Sequence, residues 1–164
     1  IGMIYALAVT RSNPQEISKK FFDGMGKGYA SIMGIIIAAG VFAAGLRAAG
    51  VIDLFVDFLK NSNEIAKIGG SVGPFILGVL TGSGDAAAFA FNEAVTPHAP
   101  SFGLTIDGLG YLAMISAGLG RMASPLAGGI IVLAGVAGVS PMEIVKRTAP
   151  AAVVMLAGLY LFTV

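Results

Sequence analysis

The chain has 164 residues, 56% hydrophobic and only 12% charged, where a soluble domain carries roughly 25% charged residues. A net charge of +1 and a mean hydropathy of +0.88 exclude a nucleic-acid partner and point to a lipid bilayer. With no cysteine and a single histidine, His98, the chain holds no disulfide, thiolate site or histidine metal cluster, and no cofactor is expected.

In chain order, residues 1–9 (IGMIYALAV) read as the end of a preceding helix, because a signal peptide would need a basic start and a cleavage site. The chain is therefore expected to be the C-terminal part of a longer protein. Residues 28–59 are predicted as one transmembrane helix, with Tyr29 to Leu46 free of charge and the last turns leaving the membrane. Asp53 and Asp57 share a face of those last turns, and Arg47 is placed to pair with Asp53 near the interface. Residues 68–95 form an apolar stretch interrupted at TGSGD, and residues 108–138 form another interrupted at GRMASPLAGG. Residues 148–164 are just long enough for a last span. Hydrophilic joints fall at Arg11–Lys27, Lys60–Lys67, Thr96–Asp107 and Ser140–Arg147.

Two apolar stretches broken at their middles are the sequence mark of discontinuous helices that build a site at the membrane midplane. The four joints carry 4, 2, 0 and 2 Lys or Arg residues in order. If residues 68–95 cross the membrane, the two sides tie at 4 against 4; if they enter and return, the count is 6 against 2. The re-entrant hairpin is the expectation, with the first and last joints in the cytoplasm and the C-terminus outside.

At the tip, Gly82 and Gly84 supply turning conformations while Thr81 and Ser83 supply hydroxyls. The helix that descends from Asp85 or Ala86 points free N–H groups and a positive dipole end at the tip, which suits an anionic substrate. Asp85 has two readings, a cap of that helix or a cation or proton site. Asn92 is expected along the same path, and Glu93 towards solvent. In the second break, Pro125 removes a helix hydrogen bond and Gly120, Gly128 and Gly129 loosen the helix. Arg121 lies deep there, where an unpaired cation is costly. It either pairs with Asp85 or carbonyls, or forks onto a substrate carboxylate beside Ser124. His98, in TPHAP, reads as a loop histidine. SPMEIVKRTAP reads as a helix start, with Ser140 as cap, Pro141 first and Glu143 three residues on.

Helix, broken hairpin, broken helix and final helix, in this order, resemble one repeat of the ion transporter superfamily. GSGDAAAFAFNEAVTPHAP, LGRMASPLAGGIIVLAG and SPMEIVKRTAP more closely resemble the C-terminal half of the anaerobic four-carbon-dicarboxylate carrier family, DcuC, from about Lys20 to Val164. The resemblance implies an all-α integral membrane protein: one of two inverted repeats, with a long helix, a re-entrant helical hairpin, a broken transmembrane helix and a final transmembrane helix. It implies secondary active transport of succinate, fumarate or malate by uptake, exchange or proton-coupled efflux, in the multi-pass setting of a bacterial inner membrane. The partners it implies are the dicarboxylate, a proton or other coupling ion, the lipid bilayer, an N-terminal repeat of the same protein and a second copy in a homodimer. Carried onto this chain, the site positions fall in Thr81–Asp85 and Arg121–Pro125: Thr81, Gly82, Ser83, Gly84, Arg121, Ser124 and Pro125 for the substrate, joined by Asn92 from its place on the same path, and Asp85 for coupling. Gly-Ser-Gly-Asp stands where the wider superfamily has a Ser-Asn-Thr tip, which argues against sodium coupling and leaves a proton role to Asp85. A carrier for another organic anion is the alternative.

Gly82-Ser83-Gly84-Asp85 also matches the GxGD pattern of intramembrane aspartyl proteases, which need two carboxylates sharing a proton. Asp53 and Asp57 are the candidate second acids, but neither follows a Tyr, and the C-terminal Pro-Ala-Leu motif is missing. That enzyme reading is the remote alternative.

Overall fold

Apolar runs punctuated by glycine and proline fold into eight α-helices and one 3₁₀ turn in the computed structural model, which describes residues 2–10, 13–59 and 63–162. In chain order these are α1 (Gly2–Thr10), α2 (Pro14–Ala48), α3 (Val51–Leu59), α4 (Asn63–Thr81), α5 (Gly84–Ala94), the 3₁₀ turn Thr96–Phe102, α6 (Ile106–Met122), α7 (Gly128–Ala137) and α8 (Pro141–Phe162). No strand occurs among the described residues. Among the described residues two helices, α2 and α8, are long and apolar enough to cross a membrane.

Residues Ile1–Ile37 form one compact unit and Ala38–Val164 another, with α2 running through the boundary. Within the first, α2 starts fourteen residues earlier than the apolar pattern predicts. Asn13 Oδ1 accepts from the Gln15 N–H at 3.0 Å, and Pro14 takes the first helical position. Glu16 and Lys20 then pair at 2.8 Å across one turn. The polar stretch up to Lys27 is therefore helix from Pro14 onwards, because capping and charge pairing support the helical backbone where apolar burial is absent.

In the second unit the predicted single helix over 28–59 is divided. Ala49 and Gly50 form a turn with Gly50 at φ +70°, so α3 leaves in a new direction. Ile52 and Val56 of α3 enter the main core cluster with Ala43, Phe91, Phe102 and Leu109, while Asp53 and Asp57 stay exposed. Arg47 does not pair with Asp53. Its Nη2 donates to the Glu93 carbonyl at 2.6 Å, closing the C-terminal end of α5 with a positive charge at the negative pole.

This core gathers at the end of the bundle where α5 stops and α6 starts. The opposite end, around the α4–α5 corner, is held by small residues and by backbone meeting backbone. The most extensive pairing in the molecule, α4 with α6, shows how. Gly120 of α6 lies against the Phe75 carbonyl of α4, and Gly78 of α4 lies against the Ala117 carbonyl of α6, each so close that a Cβ would collide. Gly120 thus does not loosen its helix, as expected from sequence. It remains helical and lets the neighbouring backbone in.

Candidate functional site

The α4–α5 corner is two residues long, Gly82 and Ser83, and each part of it is tied down. Gly82 takes φ +68°, a conformation that favours glycine, and its N–H donates to the Gly78 carbonyl at 3.0 Å. The Thr81 hydroxyl accepts from the Ser83 N–H at 3.2 Å and has the Leu77 carbonyl at 2.7 Å for its own proton. Ser83 is extended and caps α5, its Oγ accepting from the Ala86 N–H at 3.2 Å. The cap is therefore Ser83 and not Asp85. Asp85 stands at the second helical position, in the first turn, where its charge is favoured by the dipole.

The second break spans residues 123–127 between α6 and α7. Ser124 is fully buried; its N–H donates to the Arg121 carbonyl at 3.1 Å and its Oγ accepts from the Leu126 N–H at 3.2 Å. The predicted break at Pro125 is thus a turn organised by the Ser124 hydroxyl. Arg121 occupies the last turn of α6, at the negative pole of that helix.

These two interruptions meet. A Cβ built on Gly82 would lie 2.7 Å from the Leu126 carbonyl carbon and 3.0 Å from the Ala127 nitrogen, so the hairpin corner rests on the α6–α7 connection. Beside this contact opens a cavity of about 500 Å³ between α5, α6, α7 and α8. Gly84, Asp85 and Asn92 line it from α5, Arg121 from α6, and Thr148 from α8. The rest of its wall is largely apolar, with Phe89, Met114, Ile130 and Leu133. Thr81, Gly82, Ser83, Ser124 and Pro125 lie outside the lining and build its frame.

Two charges of opposite sign thus face one largely apolar space. Neither the Asp85 carboxylate nor the Arg121 guanidinium makes an ion pair or side-chain hydrogen bond among the described residues. The pairing considered from sequence is absent. Each charge is supported instead by the pole of its own helix, which leaves both free to engage something in the cavity. The neutral polar groups are already engaged. Asn92 Oδ1 accepts from the Thr96 hydroxyl at 2.7 Å and its Nδ2 donates to the Gly110 carbonyl at 3.4 Å, while the Thr148 hydroxyl donates to the Met122 carbonyl at 2.8 Å. Thr148 escaped the sequence reading because it stood as the first residue of an apolar run. Only the crossing of α8 over the end of α6 brings it to the cavity.

The family model described as C4-dicarboxylate anaerobic carrier, DcuC, matches residues 1–164. The chain belongs to the DcuC family. Its relatives in that family are carriers and not enzymes, and the protease reading falls with that. It falls geometrically as well, since Asp53 and Asp57 lie on α3 and neither lines the cavity that holds Asp85. A Haemophilus influenzae protein described as an uncharacterized transporter is 54% identical over 162 residues, 99% of this chain and 58% of that protein. The Escherichia coli K12 anaerobic C4-dicarboxylate transporter DcuC is 33% identical over 130 residues, 77% of this chain and 28% of that protein. This DcuC family chain therefore spans little more than half of the first relative and about a quarter of the second. No solved structure matches it. Membership of a transporter family makes this a membrane protein, in keeping with the apolar faces that α2, α7 and α8 expose.

Proposed function

We propose that this chain forms one half of the site of a secondary active transporter that moves four-carbon dicarboxylates such as succinate, fumarate or malate across a bacterial inner membrane. The observation that carries the reading is the cavity beside the meeting point of two helix breaks, lined by a guanidinium and a carboxylate that have no side-chain partner among the described residues. Arg121 forks onto one substrate carboxylate. Asn92 and the Gly84 backbone flank it, and Thr81, Gly82, Ser83, Ser124 and Pro125 hold the frame that aims these groups. Asp85 carries the coupling proton: charged, it repels the dianion; neutralised, it admits it. Transport then proceeds by uptake, exchange or proton-coupled efflux.

The hairpin of α4 and α5 enters the membrane and returns. Support comes from the eleven residues of α5, which rise about 16 Å, half of a hydrocarbon core of about 30 Å. The opposite wall of the cavity belongs to an N-terminal repeat of the same multi-pass protein, and two copies associate as a homodimer. Labelled succinate flux through the full-length protein in proteoliposomes tests the site. Arg121→Ala lowers kcat/KM at least about tenfold, the loss expected when a substrate carboxylate loses a charge-assisted hydrogen-bond partner. Asp85→Asn leaves exchange running and removes the dependence of net flux on a proton gradient. Unchanged flux in both variants overturns the assignment.

A further inference from the structure

The end of α6 is served from outside its own helix. The Gly120 and Arg121 carbonyls accept from the N–H groups of Ala123 and Ser124 at 3.0 and 3.1 Å. The next carbonyl, that of Met122, is met by the Thr148 hydroxyl of α8 at 2.8 Å, across 26 residues of sequence. Thr148, Met122 and Arg121 all line the same cavity.

A hydroxyl has one proton, and Thr148 holds more than one acceptor in reach. The Ile144 and Val145 carbonyls of its own helix lie at 3.4 and 3.5 Å. When α8 draws away from α6, the proton turns to the preceding turn of α8, so the bond is exchanged and not lost. The same turn is already weakened. Pro150 sits inside α8 and removes the N–H that the Lys146 carbonyl would accept. Val145, Thr148, Ala149 and Ala152 form the stripe by which α8 packs on its neighbours, and Ala152 is fully buried. A small contact face, a proline within one turn and a hydroxyl with a second acceptor make a joint that parts at low cost.

We propose that Thr148 is a positioning residue for Arg121 and the latch between α6 and α8, an inference that rests on the cavity being the transport site. With the latch closed, the last turn of α6 is pinned through Met122, and the guanidinium one residue earlier is aimed into the cavity. With the latch open, that turn is free and substrate is released.

The test uses full-length protein in proteoliposomes and labelled succinate. Thr148→Val, nearly the same shape without the donor, raises KM about tenfold with Vmax within about threefold, in the range of one hydrogen bond's net worth. Thr148→Ser keeps the hydroxyl and stays close to the wild type. In an Arg121→Lys background, Thr148→Val shifts KM by less than about twofold, because both act through one contact. An unchanged KM in Thr148→Val, equal impairment in Val and Ser variants, or full additivity with Arg121→Lys overturns the proposal. Hydrogen–deuterium exchange of the detergent-solubilised protein needs no transport. Thr148→Val speeds exchange of residues 119–127 at least about fivefold and Thr148→Ser does not; exchange equal to wild type in the Val variant overturns the latch. A wild-type protein that moves no succinate defeats the transport reading and leaves the exchange result to judge the latch.

Discussion

Replacing Gly82 by alanine strikes the point where the two helix breaks meet, and the cost follows from two separable terms. The first is conformational: at φ +68° an alanine sits in the left-handed region, which costs about 1–2 kcal/mol. The second is steric. The new Cβ lies 2.7 Å from the Leu126 carbonyl carbon, 2.8 Å from its oxygen and 3.0 Å from the Ala127 nitrogen. Carbon contacts settle near 3.5–4.0 Å, so the corner and the α6–α7 connection must separate by about 0.5–1 Å. Both partners are backbone, held by the hydroxyls of Thr81 and Ser124, and cannot swing aside as a side chain would. Overpacking of this kind costs about 1–3 kcal/mol, giving about 2–5 kcal/mol in total. Thermal unfolding of the detergent-purified full-length protein, followed by size-exclusion chromatography, reads the loss. Gly82→Asn separates the terms, because asparagine tolerates the left-handed region but brings the same Cβ. Gly128→Ala is the control, with nothing within 4 Å of its Cβ. If Gly82→Ala unfolds no earlier than Gly128→Ala, the contact between the breaks is not as described. If Gly82→Asn is fully tolerated, the steric term is absent.

Ser83→Ala removes the cap of α5 and costs about 1 kcal/mol, while KM for succinate stays within about threefold, because Ser83 lies outside the cavity lining. A tenfold rise in KM would return Ser83 to direct binding. Ser124→Ala takes the acceptor from the Leu126 N–H; Ser124 is fully buried while Leu126 is exposed, so a loss of about 1 kcal/mol is expected in the same unfolding assay, and a neutral result would refute the turn's role. Arg47→Met removes the donor to the Glu93 carbonyl. Since Arg47 is exposed, the loss is about 1 kcal/mol or less, and Asp53→Asn, which the alternative pairing would make equally harmful, has no effect.

What was legible in the residues themselves was the order of things. Apolar runs, the composition and the quoted motifs pointed to an all-helical membrane carrier of the DcuC family, because burial in lipid demands long uncharged helices and because motif similarity survives where contacts cannot be seen. The same reading picked out Asp85, Arg121 and Asn92, which line one cavity, since ionisable and amide groups in an apolar background are costly enough to stand out. Ser140 and Pro141 were legible for another reason. Capping is local, and the Glu143 N–H does reach Ser140 Oγ, at 3.4 Å.

The tertiary structure decided whatever depended on groups distant in the chain. Ser83 took the cap that sequence had offered to Asp85, because the choice turns on one backbone angle at the corner. Gly120 and Gly78 proved to be contact points, since only the crossing of α4 over α6 says which glycine meets a carbonyl. Arg47 found the end of α5, 46 residues away, in place of the nearby Asp53. Thr148 joined the cavity only because α8 passes over the end of α6. Patterning and charge are properties of a residue and its neighbours in the chain; which carbonyl lies across from which hydroxyl is a property of helix crossings, and those exist only once the helices have packed.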